Sequence, residues 1–353
     1  RYIVLVTKHH DGYALWPSEV DNPHRADWFA GRDMVGELAD AVRDRGMRFG
    51  TYYSTGLDWT FQMEAAGDLV RDVMRSAPAG QDYADYAFDQ VVELVDRYRP
   101  DVLWADIGYP SKGRLGELLD YYFAKVPDGV VNDRWGEVDA LGGLAAIPGA
   151  VSVMKAIARW LVENADPLAD DPARIGFKTA EYASLPGIAP FKWESTRGLG
   201  ASFAYNTAED PADRLSGVEL VHYVIDTVAK NGNVLINVGP DSHGSIPPEQ
   251  QAPLLALGEW LAVNGEAIYG TRPWPAGGER ADVRYTRSDD YLYAILPTAE
   301  TDTLSLSSPG QDWQVDAVLG AQLVSVSEED NSLVLSLATR SYSPAMTVRF
   351  APR

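Results

Sequence analysis

A carboxylate stands at the end of a short apolar segment of this chain. Residues 101–110 read Asp-Val-Leu-Trp-Ala-Asp-Ile-Gly-Tyr-Pro, which is typical of a buried strand that stops at Asp106 before a Gly/Pro turn. Side chains two residues apart in a strand point to the same face, so Trp104 and Asp106 are predicted to lie side by side. A carboxylate beside an aromatic plate is what a sugar-binding site needs. The alternative is that Asp106 only caps the turn.

The elements that would position this carboxylate alternate between strand-like and helical patterns up to residue 240, as in a parallel α/β fold. Strands are predicted at residues 2–7, 48–54, 101–106, 130–135, 178–183, 191–194 and 234–238. Polar and charged residues collect just after these strands, where TIM-type (β/α)8 barrels place their active sites. We therefore predict a barrel. A doubly wound open sheet is the alternative, but the sequence has no phosphate loop or Gly-x-Gly-x-x-Gly motif after a strand.

The pattern changes after Trp274. Residues 280–353 alternate short runs rich in Val, Leu, Tyr and Thr with turn residues, which predicts a small antiparallel β domain. Before this point, Pro247 and Pro248 begin a helix with a predicted apolar face of Leu254, Leu255, Leu257, Trp260 and Leu261. The predicted domains are therefore a barrel over residues 1–273 and a β-sandwich over residues 274–353.

The composition restricts the classes of function. The chain has 353 residues, of which 46% are hydrophobic and 23% charged, as in ordinary globular proteins. A formal charge of −21 repels phosphate backbones and anionic membranes, so neither nucleic acid nor a membrane is expected as a partner. The chain has no cysteine for a disulfide or a thiolate metal site. We expect a soluble protein, either cytoplasmic or secreted and processed, and the sequence leaves a homo-oligomer open.

Seven motifs occur along the chain in one order: Lys8-His9-His10-Asp11-Gly12, Phe49-Gly50-Thr51-Tyr52-Tyr53-Ser54, Val102-Leu103-Trp104-Ala105-Asp106, Asn132-Asp133-Arg134-Trp135-Gly136, Phe177-Lys178-Thr179-Ala180-Glu181-Tyr182, Lys192-Trp193-Glu194 and Asn237-Val238-Gly239-Pro240. Together they resemble the retaining alpha-L-fucosidases of glycoside hydrolase family 29, particularly bacterial members. The resemblance covers most of residues 1–273. It implies a (β/α) barrel followed by a C-terminal β-sandwich, in agreement with the change near Trp274.

The resemblance also implies roles for individual residues. Asp106 falls on the nucleophile and Glu181 on the acid/base of an exo-glycosidase that hydrolyses terminal alpha-L-fucosyl linkages through a covalent fucosyl-enzyme. The expected partner is therefore a fucosylated glycan or glycoside, and neither a cofactor nor a metal is expected. Contacts with fucose fall on six residues: His9, His10, Tyr52, Trp104, Arg134 and, near the apolar side of the sugar, Phe203.

The residue types fit this chemistry. Retaining hydrolysis needs one carboxylate to attack the anomeric carbon and one carboxylic acid, about 5 Å away, to protonate the leaving oxygen. Arg134 or a nearby imidazolium would favour the ionised form of Asp106. The acid is expected to be partly buried, so that it keeps its proton. Glu194 is the alternative acid, because it also follows an aromatic residue at the end of a predicted strand.

The same residues also have simpler interpretations. Glu181 beside Lys178 could form a surface ion pair, and Arg134 could tie a loop to a carbonyl oxygen. The aromatic residues Tyr52, Trp104 and Phe203 could belong to the core.

A metal-dependent hydrolase is a further alternative. Its ligands would come from His9, His10, Asp11, His24, His222 and His243, which show no usual ligand spacing. His9 and His10 are adjacent on a segment predicted to be extended, so their side chains should diverge, which makes a shared metal awkward.

Two departures from the family pattern stand beside the resemblance. Family members have a substantial stretch before the Lys-His-His-Asp-Gly strand, so this chain is expected to lack the opening strands of the barrel and some sugar contacts. The alternative function is therefore a truncated homologue that is inactive or only binds sugar. The second departure is an insertion at residues 137–176. Its apolar residues at helical spacing predict an amphipathic helix: Val151, Met154, Ile157, Ala158 and Leu161.

Overall fold

The computed structural model describes residues 1–62, 76–137, 175–275, 283–297, 302–329, 332–340 and 343–353. The chain forms two compact units, Arg1–Lys178 and Thr179–Arg353. The helix predicted around residues 151–161 lies outside the described residues. No helix in the described ranges is long and apolar enough to cross a bilayer.

The first unit contains a parallel four-stranded sheet whose strand order follows the chain. The strands are β1 (Tyr2–Lys8), β2 (Arg48–Ser54), β3 (Val102–Asp106) and β4 (Val130–Val131). Helices α1 (Met34–Arg43), α2 (Gln81–Tyr98) and α3 (Leu115–Lys125) each follow one of the first three strands. This order is that of a singly wound sheet, whereas a doubly wound sheet reverses its strand order at a switch point.

Helix α1 shows how the sequence fixes these elements. The Asp33 side chain accepts a hydrogen bond from the Gly36 amide and so caps the first turn. Val35, Ala39 and Val42 recur at helical spacing and are all buried against the sheet and its neighbouring helices. The helix ends at Arg43, and Gly46, three residues later, takes a left-handed φ of 66°.

Strand β4 is shorter than predicted. The sequence pattern indicates a strand over residues 130–135, but only Val130 and Val131 pair with β3. Beyond them the buried Asn132 side chain takes over: its Oδ1 accepts from the Ala105 amide at 3.0 Å, and its Nδ2 donates to the Ala105 carbonyl at 2.9 Å. A side-chain amide therefore satisfies the backbone of β3 where the strand would have done so.

A second sheet has three strands in the order β5 (Lys178–Glu181), β6 (Trp193–Gly198) and β7 (Gly232–Asn237), and all its residues except Lys178 belong to the second unit. Strands β6 and β7 are parallel, and helix α4 (Gly217–Ala229) connects them. The predicted strand at 191–194 was misplaced, because pairing with β7 begins only at Trp193 and runs on to Gly198. Glu194 is therefore near the start of a strand and not at its end.

Helix α5 (Pro248–Asn264) follows β7, with a short 3-10 helix after it (Gly265–Ala267). The predicted apolar face was wrong in one member, since Leu255 is 64% exposed whereas Trp260 is buried. The helix carries apolar residues on several sides, so sequence spacing alone could not single out the buried one. The Trp260 indole donates to the Ala345 carbonyl at 2.9 Å.

Two antiparallel sheets follow, as predicted for the C-terminal part. Their strands are β8 (Arg272–Pro273), β9 (Arg284–Arg287), β10 (Leu292–Pro297), β11 (Thr303–Ser307), β12 (Trp313–Leu319), β13 (Ala321–Glu329), β14 (Ser332–Arg340) and β15 (Ala345–Pro352). The five-stranded sheet has the order β12-β15-β10-β9-β8 and the three-stranded sheet the order β11-β14-β13. A buried cluster contains apolar side chains from both sheets, including Leu292, Leu306 and Leu335.

Candidate active site

Asp106 is the last residue of β3, and two donors hold its carboxylate. The Tyr52 hydroxyl donates to Oδ2 at 2.6 Å, and Nη1 of Arg134 donates to Oδ1 at 2.9 Å. The Asp106 side chain is 14% exposed. One hydrogen bond to each oxygen, one of them from a cation, stabilises the ionised carboxylate and fixes its orientation. A carboxylate in this state can act as a nucleophile.

Aromatic rings form a stack beside this carboxylate. The Tyr52 ring lies between His9, with ring centroids 5.7 Å apart, and Trp104, with centroids 5.3 Å apart. The Arg134 guanidinium carbon is 5.1 Å from the centre of the Trp104 ring. Because Tyr52 contacts both Trp104 and Asp106, these two side chains share one side of the sheet, as strand alternation predicts.

The segment that carries Arg134 is fixed on both sides. Asn132 binds the backbone of Ala105, and the Gly136 carbonyl accepts from the Tyr109 amide at 2.8 Å. Sequence reasoning placed Asn132 in a motif but assigned it no role. A polar residue directly after two valines of a predicted strand was the signal available. The consequence is that Arg134 reaches Asp106 from an anchored loop.

The two adjacent histidines converge, contrary to prediction. Strand β1 ends at Lys8, so His9 and His10 lie in a turn that closes with a hydrogen bond from the Gly12 amide to the His9 carbonyl. Strand alternation does not apply there, and the ring centroids are only 4.0 Å apart. Gly12 has a φ of 75°, and a Cβ there would meet Oδ1 of Asp58 at 2.6 Å, so the turn requires glycine.

The surroundings of both imidazoles favour their neutral forms. Burial, assisted by the neighbouring His9, lowers the pKa of His10 to about 4, against the opposing effect of Asp106. Burial also lowers the pKa of His9, although Asp106 and Asp11 oppose this. The guanidinium of Arg134 lies beside Asp106, and the lowered pKa values of His9 and His10 disfavour the alternative of a nearby imidazolium.

A buried ion pair underlies the histidine turn. Nζ of Lys8 is 2.7 Å from Oδ2 of Asp58, and both side chains are 0% exposed. Oδ1 of Asp58 accepts from the amide and the hydroxyl of Thr60. This pair ties the end of β1 to the loop after β2. The sequence reasoning missed it, although a lysine closing an apolar strand was visible.

Metal chemistry is a poor fit to this group of residues. One ring nitrogen each of His9 and His10 and one oxygen of Asp106 lie within 4.8 Å of one another. However, both oxygens of Asp106 already accept hydrogen bonds, one from the Arg134 guanidinium, whose charge would repel a cation. Of the other proposed ligands, the His24 ring packs against Phe61, and Nε2 of His222 is 2.8 Å from the Pro344 carbonyl oxygen.

In the second unit, Glu181 ends β5 and is exposed. The acid was expected to be partly buried, but the Glu181 side chain is exposed to solvent at the end of this four-residue strand. Tyr182 follows with a φ of 48°, a costly conformation for a bulky residue. Its hydroxyl accepts from the Gly198 amide at 3.1 Å, and its ring centroid is 5.1 Å from that of Phe203. Phe203 therefore contacts Tyr182, the residue that directly follows Glu181.

The loop that carries Phe203 is held by polar contacts. The Glu209 carboxylate accepts from the amides of Ala201 and Ser202 and pairs with Arg214 at 3.3 Å. The Asn237 side chain donates to the Phe203 carbonyl. A Cβ on Gly239 would meet the Tyr205 amide at 2.4 Å. The Asn-Val-Gly-Pro motif therefore supports the Phe203 loop.

Glu194 differs from Glu181 in position and burial. It is the second residue of β6 and is 1% exposed, and the Thr196 hydroxyl lies 3.4 Å from its Oε1. Barrel enzymes carry their reactive groups at the carboxyl ends of strands. By this rule the position of Glu181 suits a catalytic group better than that of Glu194.

The chain is similar to known proteins in sequence and in fold. A sequence model of the alpha-L-fucosidase family matches residues 1–266. The chain is 32% identical to bovine tissue alpha-L-fucosidase over 319 residues, which is 88% of this chain and 60% of the bovine protein. The solved structure of Thermotoga maritima alpha-fucosidase is 34% identical, with a TM-score of 0.75 over 99% of this chain and 75% of that one. An alpha-L-fucosidase from Paenibacillus thiaminolyticus is 25% identical, with a TM-score of 0.75.

The share of each similar protein that this chain covers differs between them. The chain is covered almost completely by the Thermotoga structure but spans only about 60% of the length of the bovine relative. The family match extends over well more than half of the chain, across the segments that carry Asp106, Arg134 and Glu181. The chain therefore belongs to the alpha-L-fucosidase family.

Proposed function

We propose that the chain is a retaining exo-alpha-L-fucosidase, with Asp106 as nucleophile and Glu181 as acid/base. The observation that carries the proposal is the carboxylate of Asp106, held by Tyr52 and Arg134 at the end of a parallel strand. Family membership supplies the substrate class. A Thermotoga maritima alpha-fucosidase of similar fold and 35% identity has been solved in complex with fucose.

The proposed reaction proceeds in two steps. In the first, Asp106 attacks the anomeric carbon of fucose while Glu181 gives its proton to the leaving oxygen, so that the glycosidic bond breaks and a fucosyl ester forms. The attacking oxygen gives up its charge in this step. In the second step Glu181 takes a proton from water, which attacks the same carbon and releases Asp106 as a carboxylate.

The remaining residues would bind the sugar. His9, Tyr52 and Trp104 form an aromatic wall beside Asp106, and Arg134 fixes the carboxylate and covers one face of Trp104. His10 is neutral and offers a polar ring nitrogen to a sugar hydroxyl. Phe203 is 37% exposed and suits the apolar side of a deoxy sugar.

We also propose that the parallel strands belong to a (β/α)8-type barrel, with the domain boundary near residue 273. The support is the strand order, which follows the chain in the sheet β1-β2-β3-β4 and in the sheet β5-β6-β7, and the change to antiparallel pairing from β8 onward. The position of Glu181 at the carboxyl end of β5 agrees with this architecture.

The nucleophile is tested by chemical rescue. The wild-type chain and Asp106→Gly are assayed on an aryl alpha-L-fucoside, with and without azide. We expect the variant to be inactive alone and to form a fucosyl azide when azide is added, because azide replaces the missing nucleophile. Asp128→Gly removes an exposed carboxylate of the same unit and should retain full activity. Undiminished hydrolysis by Asp106→Gly would rule out the assigned role.

The acid/base is tested by leaving-group dependence. Glu181→Ala should lose activity on a poor leaving group but retain it on an activated aryl leaving group, which departs without a proton. Glu194→Ala should not show this dependence. The opposite result would transfer the role to Glu194. A wild-type chain that binds fucose without hydrolysing any fucoside would favour the sugar-binding alternative.

A further inference from the structure

Ser54 is a buried hydroxyl that the proposed mechanism does not use. It is the last residue of β2, is 0% exposed and lies opposite Asp106 in the β2–β3 register. Its Oγ is 2.6 Å from the Leu57 carbonyl oxygen and 2.6 Å from Nδ1 of His10. It therefore links the histidine turn to the loop after β2.

The hydroxyl has one proton, and this decides the state of His10. A carbonyl oxygen cannot donate, so the bond to Leu57 takes the Ser54 proton. The short contact with His10 must then be a bond in which Nδ1–H donates to the Ser54 oxygen. In a neutral imidazole only one nitrogen carries a proton, which leaves Nε2 with a free lone pair.

We infer that Ser54 is a positioning residue that holds His10 in its Nδ1–H tautomer, so that Nε2 accepts a hydrogen bond from a sugar hydroxyl. The tautomer itself follows from the hydrogen-bond geometry. Its use toward a sugar rests on the proposed function.

The surroundings of His10 hold this arrangement in place. The Trp59 amide donates to the His10 carbonyl at 2.7 Å, and the Leu57 side chain is 2% exposed, so the acceptor of the Ser54 proton lies in a packed loop. The buried pair of Lys8 and Asp58 ties this loop to the end of β1. The opposite tautomer would require the Ser54 proton to turn toward His10, and the Leu57 carbonyl would lose its donor.

Because burial lowers the pKa of His10 to about 4, its ring is neutral near pH 7 and carries a proton on only one of its two nitrogens. Charged and titratable neighbours that influence His10 are His9, Asp106, Lys8 and Asp58.

The first test is nuclear magnetic resonance of the protein with 15N-labelled histidine at pH 7. The chain has five histidines, so His10 can be assigned by loss of its signal in His10→Gln. We expect a protonated Nδ1 and an unprotonated Nε2 in the wild type. In Ser54→Ala the acceptor is gone, and we expect a mixture or the Nε2–H form. A wild-type His10 protonated on Nε2 would overturn the inference whatever the activity.

Thr51→Val is the matched control. Thr51 lies on the same strand, is 0% exposed, and its hydroxyl has no hydrogen-bond partner in the described part of the chain. Removing this hydroxyl should leave the His10 signals and the activity unchanged. If Thr51→Val altered the His10 tautomer as much as Ser54→Ala does, the effect would come from general loosening of β2 and the inference would fail.

Kinetics provide the second readout. In an active enzyme, Ser54→Ala should lower kcat/KM on an aryl alpha-L-fucoside by on the order of 10-fold, as is typical when a partner that fixes a histidine tautomer is removed. Ser54→Thr keeps a hydroxyl and should restore most of this loss. A tautomer change without any kinetic change would overturn the role toward the sugar. An inactive wild type with the Nδ1–H form would refute the fucosidase proposal and leave the tautomer assignment standing.

Discussion

At the residue scale, the chemistry depends on how a carboxylate is held rather than on the carboxylate alone. Asp106 ends a strand where the sequence predicts it, but its proposed role as nucleophile depends on Tyr52 from the neighbouring strand and on Arg134 from a loop fixed by Asn132. Each supplies one donor to one oxygen. Because both donors are directional, the carboxylate is oriented before a substrate arrives, as the proposed nucleophilic attack requires.

The first prediction concerns Tyr52→Phe. This change removes one donor from Asp106 and keeps the ring that stacks between His9 and Trp104. A hydrogen bond to a charged group contributes about 1.5–3 kcal/mol, so we expect kcat/KM on an aryl alpha-L-fucoside to fall by roughly 10-fold to 100-fold.

Tyr121→Phe is the control for this prediction. The Tyr121 hydroxyl also donates to a carboxylate, that of Asp96 at 2.7 Å, but on the exposed surface of the first unit. Its kcat/KM should stay at the wild-type level. Equal losses in the two variants would show that the effect of Tyr52 is general and not exerted through Asp106.

At the element scale, the loop after β2 is fixed to β1 by the pair of Lys8 and Asp58. Both side chains are 0% exposed, so removal of one partner leaves a buried charge without compensation. We predict that Lys8→Met lowers the free energy of unfolding by about 3–5 kcal/mol, measured by chemical denaturation. The double variant with Asp58→Asn should lose less than the sum of the two single changes.

A surface ion pair provides the comparison. Arg25 and Asp27 are 3.1 Å apart, with side chains 32% and 85% exposed. Arg25→Met should change the free energy of unfolding by less than about 1 kcal/mol. If Lys8→Met were equally mild, the buried pair would not fix the loop that carries Leu57 and Trp59.

A second contact at this scale joins α4 to β9 and depends on pH. Burial raises the pKa of Asp226, but the hydrogen bonds from Lys230, Ser184 and Arg284 outweigh it and hold the pKa below the usual 3.8. A lowered folded-state pKa contributes stability that is complete above the unfolded pKa and is lost as the pH falls through the folded one.

The prediction is therefore a stability difference that disappears in acid. Wild type should be more stable than Asp226→Asn above about pH 4, and the difference in melting temperature should shrink between about pH 4 and pH 2. The comparison requires thermal unfolding at several pH values. A difference that is constant down to pH 2 would contradict the assigned ionisation.

At the scale of the whole molecule, the two helices of the second unit share a core with the antiparallel sheet. Val221 and Ile225 of α4 and Trp260 of α5 pack in one buried cluster with Tyr293 and Ile295 of β10. The C-terminal strands are thus a structural partner of the helices that follow β6 and β7. One contact in this cluster is polar, the hydrogen bond from the Trp260 indole to the Ala345 carbonyl of β15.

This shared core gives a prediction for Ile295→Ala. Ile295 is 1% exposed, and its truncation leaves a cavity, so the free energy of unfolding should fall by about 2–5 kcal/mol. Val324→Ala in β13, where Val324 is 63% exposed, should change it by less than about 0.5 kcal/mol. Similar effects of the two changes, measured by denaturation, would show that α4 and α5 do not depend on the sheet.

Local patterns were enough to predict most elements. Apolar runs bounded by turn residues located β1, β2 and β3 to within a residue. Predicted strand ends were wrong where a side chain made the hydrogen bonds expected of a strand backbone, and where a strand extended beyond its apolar part. Asn132 ended β4 early, and β6 continued through the polar residues Ser195 to Arg197 because they pair with β7.

The sequence by itself determined which residues are available for chemistry, because motif order identified the family and placed Asp106, Arg134 and Glu181 near strand ends. Only the tertiary structure decided their state. The convergence of His9 and His10, the tautomer of His10 and the donors of Asp106 depend on contacts between residues 28 to 54 positions apart or on a turn outside any strand. Such contacts form only when separate strands are brought side by side, and burial then sets which groups are charged.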